Sequence, residues 1–227
     1  MLDSKLNVIF ENATFVLINK PAGLSFHSEQ TPGLVVLAQK QLELKEIYPV
    51  HRLDKMTSGL VLLAKTLAAA QAFQTMFEQR QIEKFYLVIS THKPKKKQGW
   101  IKGDMQPSRR GSWRLTTSME NPAITQFINA SLAPNERAFL VKPHTGKTHQ
   151  IRVALKSLGA PIAGDRRYQA VQQAEQEDRG YLHAYALRFE LFGEHYAFVC
   201  PPSDGKRFVN DNFRLQCAAW SQPWTLF

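Results

Sequence analysis

The chain has 227 residues, with 29 Lys and Arg against 19 Asp and Glu and a formal net charge of +10. At roughly 100–200 residues per domain that is one large domain or two small ones, and ordinary hydrophobic and charged contents exclude wholesale disorder. Apolar runs such as residues 59–64 fall far below the roughly 18 residues that cross a bilayer, residues 1–5 lack the order of a secretory signal, and two cysteines, Cys200 and Cys217, cannot build a disulfide framework or a four-thiolate metal site. A soluble, cytoplasmic protein is expected, with no membrane partner.

In chain order, residues 7–10 and 14–18 predict short strands around a turn at Glu11 and Asn12. Residues 60–64 predict a strand buried on both faces. Thr66 is placed to cap a helix from Leu67 to about Gln79, with Ala69, Phe73, Met76 and Phe77 at helical spacing. Residues 84–90 return to strand, and residues 94–107 read as an exposed excursion. Residues 123–130 and 138–142 predict further strands, and residues 149–158 a helix with Ile151, Leu155 and Leu158 on one face. Leu187, Phe189 and Leu191 alternate with Arg188 and Glu190, as in a half-buried antiparallel strand. Short strands joined mostly by loops and a few helices predict an α+β fold, a mainly antiparallel mixed sheet flanked by helices, in a single domain spanning residues 1–227.

The charge is concentrated. From Gln79 to Arg114 there are ten basic residues against Glu83 and Asp104, so this window holds +8 of the net +10. A solvated lysine run is one reading of it. The other is an electrostatic footprint for a phosphate backbone, with Trp100 and Trp113 available for stacking.

Polar residues interrupt apolar structure at three places. The first is His51-Arg52-Leu53-Asp54-Lys55-Met56-Thr57-Ser58-Gly59, just before the buried strand. Asp54 there either caps a turn or serves a site. The flanks of Ser58 are not those of a hydrolase nucleophile elbow. The second is Thr145-Gly146-Lys147-Thr148-His149-Gln150-Ile151-Arg152, where Val141 stands in place of the first glycine of a P-loop. Arg152 lies between Ile151 and Val153 on a helix, so its guanidinium points partly inward and requires an anionic partner, Asp54 being a candidate. The third is Lys84-Phe85-Tyr86, opening a strand. His144 and His149 have no Asp, Glu or Cys close in sequence, and no metal-ligand spacing occurs.

These segments, in this order, resemble the RluA-type pseudouridine synthases. His51-Arg52-Leu53-Asp54 followed by Thr57-Ser58-Gly59-Leu60 carries the resemblance, as does the run from Thr145 to Val153 with Gly159 to Tyr168 behind it. Asn19-Lys20-Pro21-Ala22-Gly23 resembles the family's first motif and Leu182-His183-Ala184 its late one. The sister branch acting on small-subunit RNA generally has Gly at the position of His51. The resemblance runs from about Val8 to Phe208, departing from the pattern at Ala154 and Ala160. The first motif begins so early that an N-terminal RNA-binding module of the S4 type is not expected.

The resemblance implies isomerisation of uridine to pseudouridine in ribosomal or transfer RNA. It makes Asp54 the catalytic carboxylate, either attacking the sugar or removing a sugar proton. It makes Arg152 the arginine paired with that aspartate, and Tyr86 the tyrosine packed against the target base. Arg52 becomes the residue holding the nucleotide out of its stack, with His51 and Thr57 beside it at the substrate. The basic window adds Lys95, Lys96, Lys97, Arg109 and Arg110 as RNA contacts, the whole of residues 93–114 being read as a gripping loop beside the cleft. No cofactor or metal is implied, because the reaction is redox-neutral, and a monomer is expected. The alternative is an RNA-binding assembly factor that keeps the fold without the chemistry.

Overall fold

The structure is a computed structural model and describes residues 5–227. In chain order its elements are β1 (Asn7–Glu11), β2 (Phe15–Lys20), α1 (Leu34–Gln41), β3 (Tyr48–Pro49), β4 (Ser58–Ala64), α2 (Leu67–Glu78) and β5 (Glu83–Ser90). There follow β6 (Gln98–Gly103), β7 (Met105–Pro107), β8 (Trp113–Leu115), β9 (Ala123–Ala133), β10 (Glu136–Pro143) and α3 (Gln150–Ser157). The chain continues through α4 (Val171–Ala174), β11 (Leu182–Leu191), β12 (Glu194–Val199) and α5 (Asp211–Ala219).

Among the described residues ten strands form one mixed, mostly antiparallel sheet, in the order β1-β2-β4-β11-β5-β10-β9-β6, with β12 beside β11 and β3 beside β4. β4 is buried at every position. Leu60 and Leu62 pack with Phe73 and Met76 of α2, whereas Val61 and Leu63 pack with Leu34 and Ala38 of α1. A strand covered by a helix on each face has no solvent side, which is why its sequence is a continuous apolar run rather than an alternation. The cap on α2 forms as the sequence predicts, with Thr66 Oγ1 accepting the Ala69 N–H at 3.2 Å, an interaction worth about 1 kcal/mol. A third cluster joins β5, β10 and β11 to α3 and α5, and Tyr86 touches both this cluster and the one beneath α1. The tyrosine therefore stands at the seam between two halves of the sheet.

Two expectations are corrected. Residues 94–107 are not a plain excursion: they contain the edge strand β6, paired with β9, and open the β7–β8 hairpin. The hairpin tip carries Arg109 and Arg110, the latter in the left-handed region at φ 55°. The strand predicted around residues 187–191 starts earlier, at Leu182, and its opening residues are not antiparallel to both neighbours. His183 and Ala184 pair in parallel with Ser58 and Gly59, while β11 runs antiparallel to β5 and β12. Periodicity reports which face a residue shows, not the direction of its neighbour.

Candidate active site

The loop carrying Asp54 joins β3 to β4 and is tied down at its far end. Gly59 has φ +104°, and a Cβ there would lie 2.2 Å from the Ala184 carbonyl oxygen. Only glycine lets β4 and β11 approach this closely in that conformation. Next to it, Ser58 Oγ accepts from Arg179 at 2.6 Å and donates to His183 Nδ1 at 2.7 Å, while His183 Nε2 donates to the Cys200 carbonyl at 2.7 Å. Burial pushes the His183 pKa down to about 4, so the ring serves as a neutral crosslink. Ser58 is thus fully occupied in holding structure together.

On the other side of this loop stands Lys20, fully buried, whose Nζ donates to the carbonyls of Pro21, Leu24 and Lys55 at 2.9, 2.8 and 3.3 Å. Burial, with the Arg179 charge, draws its pKa down to about 7. Three acceptors around one ammonium match its three N–H groups and oppose that shift. The lysine joins the Pro21–Ala22–Gly23 turn to the residue following Asp54.

Arg152 enters from the first turn of α3. The preceding loop is fixed by Gln150, whose side chain accepts from Thr145 Oγ1 and the Lys147 N–H and donates to the Ile124 carbonyl and Thr125 Oγ1. His149, before the helix, sits in the left-handed region at φ 58°. Arg152 is 7% exposed. Its Nε and one terminal nitrogen donate to the two oxygens of Asp165 at 2.7 and 2.8 Å, and its other terminal nitrogen donates to Asp54 Oδ2 at 2.8 Å. Burial opposes the guanidinium charge, but the two carboxylates outweigh it and raise its pKa. The inward-pointing arginine expected from the sequence thus meets Asp54, and it also meets a second acid, Asp165, to which the sequence alone assigns no part.

Asp54, Tyr86, Arg152, His149 and Thr57 line one cavity of about 510 Å³. Asp54 keeps 25% of its side chain exposed, and its Oδ1 has no hydrogen bond among the described residues. Tyr86 is half-buried, and its hydroxyl has no hydrogen-bond partner among the described residues. Burial, and then the Asp54 charge, raise its pKa, so it remains a neutral phenol. His149 Nε2 lies 3.8 Å from Asp54 Oδ2, and Nδ1 is 2.9 Å from Tyr168 Oη, which accepts the Trp113 N–H at 2.9 Å. Burial and the Arg152 charge lower the His149 pKa, leaving it neutral. Arg52 is exposed on the cavity wall, with no carboxylate within 4.0 Å among the described residues.

Of the other expected site residues, His51 reaches the cavity and the basic residues of the 93–114 stretch do not. His51 lines the cavity, but its Nε2 is spent on the Leu62 N–H at 2.9 Å and its ring rests on Phe77 at 4.9 Å. Burial, then the Lys84 charge, push its pKa down to about 3. None of residues 93–114 lines the cavity. The Lys95 N–H donates to the Leu158 carbonyl beyond the C-terminal end of α3, roughly 9 Å along the helix from Arg152. Lys96 and Lys97 follow it towards β6, where the carbonyls of both accept from Asn129. Arg109 and Arg110 sit instead at the hairpin tip, where Arg167 donates to the Arg110 carbonyl at 2.7 Å. Residues 93–114 therefore place their lysines and arginines on different elements rather than on a single loop, while Arg80 and Lys84 of the wider basic window line the cavity.

Phe77 of α2 is legible in the sequence only as a core position, yet it forms part of the cavity wall. Its signal is faint: one more apolar residue than the helix needs on its buried face. Asp165 and Tyr168 lie in the Gly-Asp-Arg-Arg-Tyr stretch, and a buried arginine calls for acids in just such loops. Among the described residues, no three His, Cys, Asp or Glu side chains gather as a metal site, and no helix is long and apolar enough to cross a membrane.

Residues 14–157 match the RNA pseudouridylate synthase family model. The chain belongs to that family, in its RluA-type branch, and is an enzyme of the RNA pseudouridine synthase class. It is 46% identical over 206 residues to a protein of Haemophilus influenzae called an uncharacterized RNA pseudouridine synthase, covering 90% of this chain and 91% of that one. It is 35% identical to the ribosomal large subunit pseudouridine synthase C of Rickettsia bellii, with 82% of this chain matching 65% of that longer protein. The structure resembles human RNA pseudouridylate synthase domain containing 4 with a TM-score of 0.73 at 26% identity, over 92% of this chain and 93% of that one.

Proposed function

We propose that residues 1–227 act as one catalytic domain that isomerises uridine in ribosomal or transfer RNA, with Asp54 as the reacting carboxylate. The observation that carries this reading is the shared Arg152. Two of its nitrogens donate to Asp165 and the third donates to Asp54 Oδ2, while Oδ1 has no hydrogen bond among the described residues. A carboxylate kept ionised and aimed in this way can engage the ribose.

In the reaction, the bond from N1 to C1′ breaks, the uracil turns, and C5 bonds to the same C1′. The C5 proton is lost, N1 regains one, and no electrons leave the nucleotide. Asp54 either bonds to C1′ or takes the C2′ proton and returns it. Tyr86, a neutral phenol beside it, packs on the base and offers its unpartnered hydroxyl for proton transfer. Arg52, exposed at the wall, holds the nucleotide out of its stack.

Relatives named for the large ribosomal subunit favour ribosomal RNA as the target class. Tritium release from RNA carrying 5-tritiated uridine tests the reaction. Asp54→Asn should lower the rate by about 10³-fold or more while RNA still binds. Full activity in that variant overturns the assignment. Comparing a short stem-loop with intact subunits as substrate decides between a local element and an assembled particle.

A further inference from the structure

Trp100 has no part in the chemistry described above, and its setting is unusual. It lies on the outermost strand β6, and the residue is 47% exposed. Its ring is tilted 32° against the His144 ring at a centroid distance of 4.8 Å. His144 faces two ways: it lines the cavity that holds Asp54, and its Nε2 lies 3.1 Å from Gln126 Oε1, the residue paired with Trp100 across β6 and β9. Burial, with the Lys142 and Lys102 charges, lowers the His144 pKa, so the ring is a neutral plane. Lys102 Nζ lies 4.9 Å over the Trp100 ring, and among the described residues it has no carboxylate within 4.0 Å.

A large aromatic left half in water, backed by a second flat ring and attended by a lysine, is arranged to take another flat ring beside an anion. Among ligands compatible with a net charge of +10, an unpaired nucleotide meets both demands. We propose that Trp100 and His144 form a stacking platform for an unpaired base flanking the target uridine. The base takes the place of Lys102 over the indole, and the freed ammonium meets that nucleotide's phosphate. The platform rests on the synthase reading for its ligand. It extends the foothold from the edge of the reaction cavity, which His144 lines, onto the outermost strand β6. Stacking of this kind tolerates any base, so the platform supplies grip and register rather than sequence.

The test uses the full chain and an oligouridylate carrying one 2-aminopurine, alongside tritium release from total RNA. Wild type and Trp100→Phe should quench the 2-aminopurine. Trp100→Ala should not, and its KM for RNA should rise about tenfold with kcat within about twofold. A melting temperature near wild type for the exposed-site variants excludes unfolding as the cause. Quenching and KM in Trp100→Ala that match wild type overturn the platform, as does a change in oligomeric mass without a change in RNA binding. Quenching by a wild-type protein that isomerises no RNA leaves the platform standing and removes the synthase reading instead.

Discussion

Asp165 grips Arg152 through both carboxylate oxygens and is itself fully buried, so the guanidinium is oriented before any RNA arrives. Asp165 also accepts from the backbone N–H groups of Arg167 and Tyr168. The arginine that touches Asp54 is therefore set by a second acid that never reaches the cavity. A bidentate guanidinium fork of this kind has a fixed plane, which a lysine cannot reproduce.

Asp165→Asn is accordingly expected to cost more than its conservative shape suggests. It leaves a buried guanidinium with one charged partner, a change of about 3–5 kcal/mol in comparable buried pairs. Urea denaturation should show the loss, and tritium release should fall in whatever folded fraction remains. Arg152→Lys should also lower kcat sharply while sparing more of the stability. Wild-type kcat in Arg152→Lys sinks this account of the fork.

The neutral histidines make stability depend on acid. His51 and His183 have folded pKa values lowered to about 3 and about 4, against about 6.5 in the unfolded chain. Between those values the unfolded state binds more protons, so stability falls as pH falls from about 6.5, by up to about 1.4 kcal/mol per pH unit for each ring. Urea midpoints measured from pH 7 to pH 4 should decline steadily. His183→Gln should start lower at pH 7 and decline less steeply, and an unchanged slope counts against the crosslink.

Gly59→Ala places a methyl 2.2 Å from the Ala184 oxygen at a left-handed φ. The β4–β11 pairing must open to admit it, at an expected cost above about 3 kcal/mol. The change should lower both the urea midpoint and activity. Gly193→Ala is the comparison, since its φ of +81° is also left-handed, with nothing within 4 Å of the added carbon.

The two basic patches should separate by salt dependence. Neutralising Lys95, Lys96 and Lys97 together, or Arg109 and Arg110 together, should flatten the plot of log Kd against log salt by about 0.7–0.9 for each phosphate that the side chains pair with in the wild-type complex. If both sets touch RNA, the slopes change additively, because the patches lie on different elements. A slope unmoved by either set returns the window to solvated surface.

Much of the fold is readable from local rules. Residues 60–64 lack any polar position, and a strand with two covered faces needs none. Thr66 precedes an apolar helix, and Arg152 sits between two buried neighbours, so cap and inward charge both follow. Asp165 is silent because its partner is 13 residues away through a turn, and burial of an acid leaves no periodic trace. The β7–β8 hairpin has three-residue strands, too short for alternation to register. The parallel pairing of β11 with β4 sets His183 against Ser58, 125 residues apart, a separation over which no window of sequence carries information. Helix α1 follows Gly33 with no side-chain cap, whereas α5 does carry a readable cap in Asn210, which accepts the Asn212 N–H at 3.0 Å.

β4 and β5 share no hydrogen bonds: they are neighbours only through β11. Asp54 leads into the first and Tyr86 lies on the second, so the two walls of the cavity stay unjoined until residues 182–191 slide between them. During synthesis the chain thus emerges with every cavity residue except Leu182 already made, and still with no cavity. Two strand edges wait open through about ninety residues of further translation, a span in which they are sticky and the protein is inert. Closing the cavity is in this sense the work of a late segment, residues 182–191, which joins β4 to β5.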